Sequence, residues 1–310
     1  MKKINVVVLA GGRSAERKIS LASGRELINN LDCNKYNSFF VEVPTNTDFN
    51  PLLITNLKPD IVFIAMHGPF GEDGTIQGML DFMGIPYVGS GVLASSLGMN
   101  KIYFHKLMQA ENIKMPSYFI VKKTSKYEIP KNINLPFMVK PSNQGSSIGV
   151  TLVKKEVNFI NALKKAFKYS DEILVEQHIS GMEVTCGVLG NEDPMVLPLV
   201  EIVTEREYFD YDSKYNPNLS KEIIPARLSE KLTKEVGKIA VRVFKALGCK
   251  NFARVDIIIK KNTPYVLEIN TIPGLTPVSI FPKMANASGL TYSEMLNKLI
   301  QLGFENKQKI

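Results

Sequence analysis

Two short stretches near the end of the chain carry residue types that do chemistry together. Arg254-Val255-Asp256-Ile257-Ile258-Ile259 and Tyr265-Val266-Leu267-Glu268-Ile269-Asn270 are joined by Lys260-Lys261-Asn262-Thr263-Pro264. Both arms have the β-branched content and side-chain period of two expected of strands, split by a polar turn. If the loop is odd in length, so that Lys260 faces Pro264, Asp256 pairs with Glu268 and Arg254 with Asn270. Two carboxylates, an amide and a guanidinium then share one face of an otherwise apolar ribbon. Charge on so buried a surface is costly unless something compensates it. Two carboxylates and a carbonyl oxygen suit a hard divalent cation that also holds phosphate oxygens. The rigid turn Thr271-Ile272-Pro273-Gly274 follows at once.

A second group precedes it. Phe137-Met138-Val139-Lys140-Pro141 is a strand ending in a lysine, and Ser142-Asn143-Gln144-Gly145-Ser146-Ser147-Ile148-Gly149 leads to another strand. Small residues in such a turn let backbone amides point at phosphate oxygens, and the lysine adds fixed charge. No Gly-Lys-Ser/Thr is present and no helix follows, so this is not a P-loop. Lys101 stands where a helix begins. Glu176-Gln177-His178-Ile179-Ser180-Gly181-Met182-Glu183 connects two strands, and its backbone and carboxylates suit an adenine edge and ribose hydroxyls. Gly11-Gly12-Arg13-Ser14-Ala15-Glu16-Arg17 and His67-Gly68-Pro69-Phe70-Gly71-Glu72-Asp73-Gly74 each follow a strand, where open α/β sheets bind ligands. His67 lacks a second histidine at ligand spacing and fits a hydrogen bond to a substrate carboxylate better.

The elements that must position these groups follow from periodicity. Strands at Ile4–Ala10, Ser38–Val43 and Asp60–Met66 alternate with helical patterns, arguing for a parallel sheet flanked by helices. Helices near Val92–Leu97 and Lys101–Glu111 come next. Strands at Tyr118–Val121, Phe137–Lys140, Gly149–Val153 and Ile173–Glu176, with a helix near Val157–Phe167, make an α+β region. A third region holds strands near Glu183–Leu189 and Leu197–Ile202, a helix near Lys231–Leu247, the hairpin, and a helix from Thr291. The expected fold class is thus α/β and α+β, divided at 1–92, 93–180 and 181–310. Thr204 to Lys221 is long, charged and rich in tyrosine, as lids over active sites often are.

Composition sets outer limits. The 310 residues are 45% hydrophobic and 22% charged, ordinary for a soluble protein. The net charge of +8 comes from scattered lysines without a nucleic-acid motif, so it suits small anionic substrates better than nucleic acid. Cys33, Cys186 and Cys249 fit neither a disulfide framework nor zinc spacing, which points to a reducing cytoplasm. The apolar run after Met1-Lys2-Lys3 is short and ends in Gly11-Gly12, as a first strand does. No apolar run is long enough to span a membrane.

In combination these motifs resemble the D-alanine–D-alanine ligases of the ATP-grasp superfamily, over nearly the whole chain. The resemblance implies an N-terminal doubly wound domain followed by a two-part ATP-grasp fold. It implies that Lys101 and Lys140 hold ATP phosphates under the Gly145-Ser146-Ser147 loop, and that Glu176, Gln177, His178 and Ile179 line the adenine with Glu183 on the ribose. Asp256, Glu268 and Asn270 would bind two Mg²⁺ (or Mn²⁺) ions. Glu16, in a network with Ser146 and Tyr215, would take the ammonium of the first D-alanine, and His67 would lie by its carboxyl group. Arg254 and the Gly274 amide would form an oxyanion site, Ser279 would bind the second carboxylate, and Lys214 would reach the transferred phosphate. Tyr215 resembles the D-alanine-selective enzymes rather than ester-forming relatives, and a homodimer is the family's usual state. Competing readings are another ATP-grasp carboxylate–amine ligase, a nucleotide-binding regulator without catalysis, and an NAD oxidoreductase. The last lacks its glycine fingerprint, and a regulator has no use for Arg254 beside two carboxylates.

Overall fold

Val6 to Ala10 are wholly buried, the pattern of a strand covered on both faces. They lie in β1 (Ile4–Gly11), the start of a unit continuing through α1 (Arg17–Asn30), β2 (Tyr36–Val43), α2 (Leu52–Thr55), β3 (Ile61–Ile64), α3 (Thr75–Phe82) and β4 (Tyr87–Val88). The computed structural model describes residues 2–46, 48–124, 127–130, 133–204 and 220–305. The first sheet is parallel with order β2-β1-β3-β4. The loops that carry Glu16 and His67 therefore leave the same edge of adjacent strands.

Next come α4 (Val92–Met99) and α5 (Lys101–Ala110). Asn100 caps α5 by accepting from the Ile102 and Tyr103 amides, which fixes Lys101 as the first helical residue. A second sheet is built from β5 (Tyr118–Lys122), β6 (Phe137–Pro141), β7 (Thr151–Val153) and β8 (Glu172–Gln177), antiparallel in the order β5-β8-β6-β7, with α6 (Phe159–Ala166) packed on it. A third sheet contains β9 (Met182–Leu189), β10 (Met195–Val196), β11 (Val200–Thr204), β12 (Ser220–Ile223), β13 (Phe252–Lys260) and β14 (Thr263–Asn270). Its order is β12-β11-β9-β13-β14, with β10 on β9. α7 (Glu230–Ala246) packs its apolar face on this sheet. After α8 (Ile280–Ala287), α9 (Tyr292–Glu305) returns to the first sheet, where Leu296 and Leu299 join Val6, Phe63 and Phe281 in one buried cluster. The first and third units thus share a core.

The architecture matches the expected class. Several element limits differ. The strand expected over Leu197–Ile202 starts at Val200, because β10 turns before it. The helix expected from Val157 opens as a 3₁₀ turn, Glu156–Asn158. Ser220 and Lys221, read as the end of a long loop, begin β12 against β11. Residues 205–219 of that loop, with Lys214 and Tyr215, lie outside the described residues. α2, only four residues long, is too short to impose a helical period on the sequence. Among the described residues no helix is long and apolar enough to cross a membrane.

Candidate active site

The hairpin of β13 and β14 pairs Arg254 with Asn270 and Asp256 with Glu268, as its sequence suggests, but by another route. Lys260 faces Thr263, not Pro264. The turn has two central residues, Lys261 and Asn262, at φ 48° and 59°, the doubly left-handed geometry that suits strand twist. A bulge at Leu267, between the Asp256–Glu268 and Ile257–Val266 pairs, then restores the functional register.

Asp256 is almost buried and accepts two bonds from Arg254, Nε to Oδ1 and Nη2 to Oδ2, both at 2.9 Å. Thr185 of β9 donates to Asp256 Oδ1 at 2.5 Å. This threonine escapes sequence reasoning, since only the β9–β13 pairing brings it opposite Asp256. Across the hairpin, Glu268 Oε2 lies 3.5 Å from Lys101 Nζ. The Asn270 Oδ1 accepts from the Ile272 amide at 3.1 Å, fixing the start of the following turn. The donor set is all oxygen, with two carboxylates facing each other across a ladder, and it fits a hard divalent cation. Among the described residues no cluster of three or more His, Cys, Asp or Glu side chains adds to it.

Lys101, Lys140, Asp256 and Glu268 line one cavity of about 370 Å³ between the second and third sheets. Ser147, Glu176, Gln177, His178, Ile179 and Glu183 line it too. Lys101 Nζ donates to the Gln144 carbonyl at 2.7 Å, tying the helix start to the small-residue loop. Ser146 and Ser147 in that loop sit at φ 48° and 59°, a conformation that costs residues with a Cβ about 1 kcal/mol or more each. Lys140 is ion-paired with Glu176 Oε1. Burial would raise the Glu176 carboxyl, but the Lys140 charge and the His105 contact outweigh it and hold it down to about 2. Burial would likewise lower Lys140, yet Glu176, Glu268 and Glu183 raise it above the ordinary lysine value. The pair is therefore ionised in the fold.

The crevice above the first sheet holds the other group. Ser146 Oγ donates to Glu16 Oε1, closing the small-residue loop onto the loop after β1. Ser14 Oγ accepts from the Glu16 amide at 3.1 Å and donates to the His67 carbonyl at 2.5 Å. His67 is buried between Ser23, whose Oγ is 3.0 Å from Nε2, and the Ile272 carbonyl, 3.1 Å from Nδ1. Glu72 Oε1 stands 3.5 Å from the same Nδ1. Burial pulls the imidazole down, but Glu72 and then Glu16 raise it overall. Burial raises Glu72, with His67 opposing. Gly68, at φ +77°, is required here: a Cβ would come 2.7 Å from Glu16 Oε2.

The His67–Ile272 contact brings this crevice to the end of the hairpin. There Gly274 and Ser279 adjoin, since a Cβ on Gly274 would fall 2.8 Å from Ser279 Oγ. Ser279 precedes α8, with its hydroxyl 2.7 Å from that of Thr276. The geometry thus unites Glu16, His67 and Ser146 on one side, and the two lysines, the carboxylate pair and Arg254 on the other. An anionic polyphosphate and a small zwitterion would meet at this junction.

Comparison with known proteins agrees with that chemistry. The family model for the D-ala D-ala ligase C-terminus matches residues 93–301, and that for the N-terminus matches residues 53–90. The D-alanine–D-alanine ligase of Pelotomaculum thermopropionicum is 42% identical over 98% of this chain and 98% of its own. The ATP-complexed D-alanine–D-alanine ligase of Bacillus anthracis superposes with a TM-score of 0.86 at 32% identity, covering 99% of each chain. The D-Ala:D-Ser ligase of Enterococcus faecalis gives 0.85 at 32% identity, over 97% of this chain and 100% of that one. With these relatives matching from end to end, the chain belongs to the D-alanine–D-alanine ligase family of ATP-dependent ligases.

Proposed function

We propose that this protein joins two D-alanines into D-alanyl-D-alanine, a peptidoglycan precursor, with release of ADP and phosphate. The observation that carries the residue assignment is the shared cavity wall formed by Lys101, Lys140, Asp256 and Glu268 beside Arg254. A carboxylate is a poor electrophile, so ATP must first convert it to an acyl phosphate. That brings anions together, and fixed cations must neutralise the charge that develops.

In this reading Lys101 and Lys140 hold the phosphates, with Gly145, Ser146 and Ser147 over them. Glu176, Gln177, His178 and Ile179 border the adenine, and Glu183 takes the ribose. Asp256, Glu268 and Asn270 would hold two Mg²⁺ (or Mn²⁺) ions, which would supply charge neutralisation. Arg254, which grips Asp256 at the edge of the carboxylate pair, stands beside the reacting oxygens. Glu16 binds the ammonium of the first D-alanine, and His67 borders its carboxyl group. Attack by the second amine builds a tetrahedral oxyanion against Arg254 and the Gly274 amide, while Ser279 holds the second carboxylate. Lys214 and Tyr215 would complete the site from the 205–219 segment. The three functional units correspond to 1–92, 93–180 and 181–310, and the protein acts in the cytoplasm as a homodimer.

The test is D-alanine-dependent release of ADP and phosphate from MgATP, with identification of the product. L-Alanine, and D-alanine supplied with D-lactate or D-serine, are the controls. Turnover with D-alanine alone, yielding the dipeptide, is expected. Folded protein that binds ATP but does not turn over would reject the substrate assignment.

A further inference from the structure

His105 plays no part in the roles above, yet it is 2% exposed and stands with Nε2 only 3.2 Å from Glu176 Oε2. The other oxygen of that carboxylate holds Lys140. His105 lies four residues after Lys101 on α5, so both project from one face of the helix. Its ring packs on Tyr118 with centroids 4.7 Å apart, and Tyr118 is the cross-strand neighbour of Glu176. The imidazole is thereby held from both sides, by an aromatic ring and by the carboxylate.

We propose that His105 is a positioning residue for the nucleotide: through Glu176 it aims the Lys140 ammonium into the phosphate cavity. The physical need is clear from the geometry. A carboxylate anchored at one oxygen only can rotate about its terminal bond and carry the paired lysine with it. A contact on the second oxygen removes that freedom, so the ammonium is already in place when the triphosphate arrives. One helix then serves both lysines. It supplies Lys101 from its first residue and steadies Lys140 from its second turn. The inference rests on the reading of Lys140 as a phosphate ligand.

Three variants test it. His105→Leu keeps the volume but removes the polar contact; His105→Gln restores a donor; Lys140→Ala tests the underlying assignment. His105→Leu is expected to raise KM for MgATP about tenfold, because the lysine must then be ordered as the nucleotide binds. Both D-alanine KM values should stay within about twofold, and His105→Gln should recover most of the loss. A purely structural role would instead affect all substrates alike, with no rescue by glutamine. An unchanged KM for MgATP in folded His105→Leu, or failure of the glutamine rescue, would overturn the proposal. If Lys140→Ala leaves nucleotide affinity intact, the phosphate assignment itself falls; if only the lysine variant loses affinity, the His105 inference alone is rejected. Should the leucine variant not fold, ¹⁵N resonances of the wild-type His105 ring supply the answer. They are expected to move with MgATP and not with adenosine, and an equal response to both would refute the idea.

Discussion

Asp256 and Glu268 face each other across the β13–β14 ladder although the turn alone would set them one residue out of step. The bulge at Leu267 absorbs the difference. A shift of one residue sends side chains to the opposite face of a strand, so this irregularity is what keeps the two carboxylates together. Bulges are common beside active sites for this reason.

The carboxylate pair makes Glu268 the sharpest test of the metal assignment. Glu268→Gln preserves shape and removes one anionic ligand. Turnover should fall by ~100-fold or more, with a raised Mg²⁺ requirement. The melting temperature should change little, because Glu268 is only half-buried. Steady-state kinetics over a Mg²⁺ series checks this, and near-normal activity would sink the assignment.

Arg254 grips Asp256 through a two-pronged contact that a lysine cannot copy. Arg254→Lys should lower kcat by ~10²–10³-fold, the range for losing an oxyanion donor. Pre-steady-state quenching, looking for acyl phosphate that forms but reacts slowly with the amine, distinguishes this from failed ATP binding. Equal loss of ATP binding would contradict the role.

Glu176 contributes a pH dependence whose sign is fixed. Its carboxyl is held down to about 2 in the fold, chiefly by Lys140 once the cost of burial is overcome. Its stabilisation is therefore present above the ordinary carboxylate value and is lost as pH falls through the lowered one. The stability gap between wild type and Glu176→Gln should be widest above about pH 5 and narrow toward pH 2. Denaturant melts across that range measure it, and a gap independent of pH would show that the pair does not act as an ion pair.

His67 and Glu72 shift together. Both are raised above their ordinary values, burial being the first influence on each and Glu72 overcoming it for His67. The protonated forms thus favour the fold, and their contribution fades as pH rises through the raised values. A ¹H–¹³C titration should place the His67 midpoint above about 6.5, and Glu72→Gln should bring it down. A midpoint unmoved by that substitution would exclude Glu72 as the cause.

Much of this protein was readable along the chain. The alternating strands and helical stripes specified a parallel sheet followed by two α+β units, because burial on both faces or on one writes a distinct period into the residues. Arg254, Asp256, Glu268 and Asn270 stood out because charges at every second position of an apolar strand demand a partner. What the residues could not state was which neighbours those partners would be. Thr185 meets Asp256 only because β9 enters the third sheet beside β13. His105 meets Glu176 only because α5 packs against the second sheet, and His67 meets the Ile272 carbonyl across 205 residues of chain. Local sequence governs period, caps and turns, through interactions a few residues apart. The partners of a buried charge come from elements that are remote in sequence, and only packing the sheets together decides them.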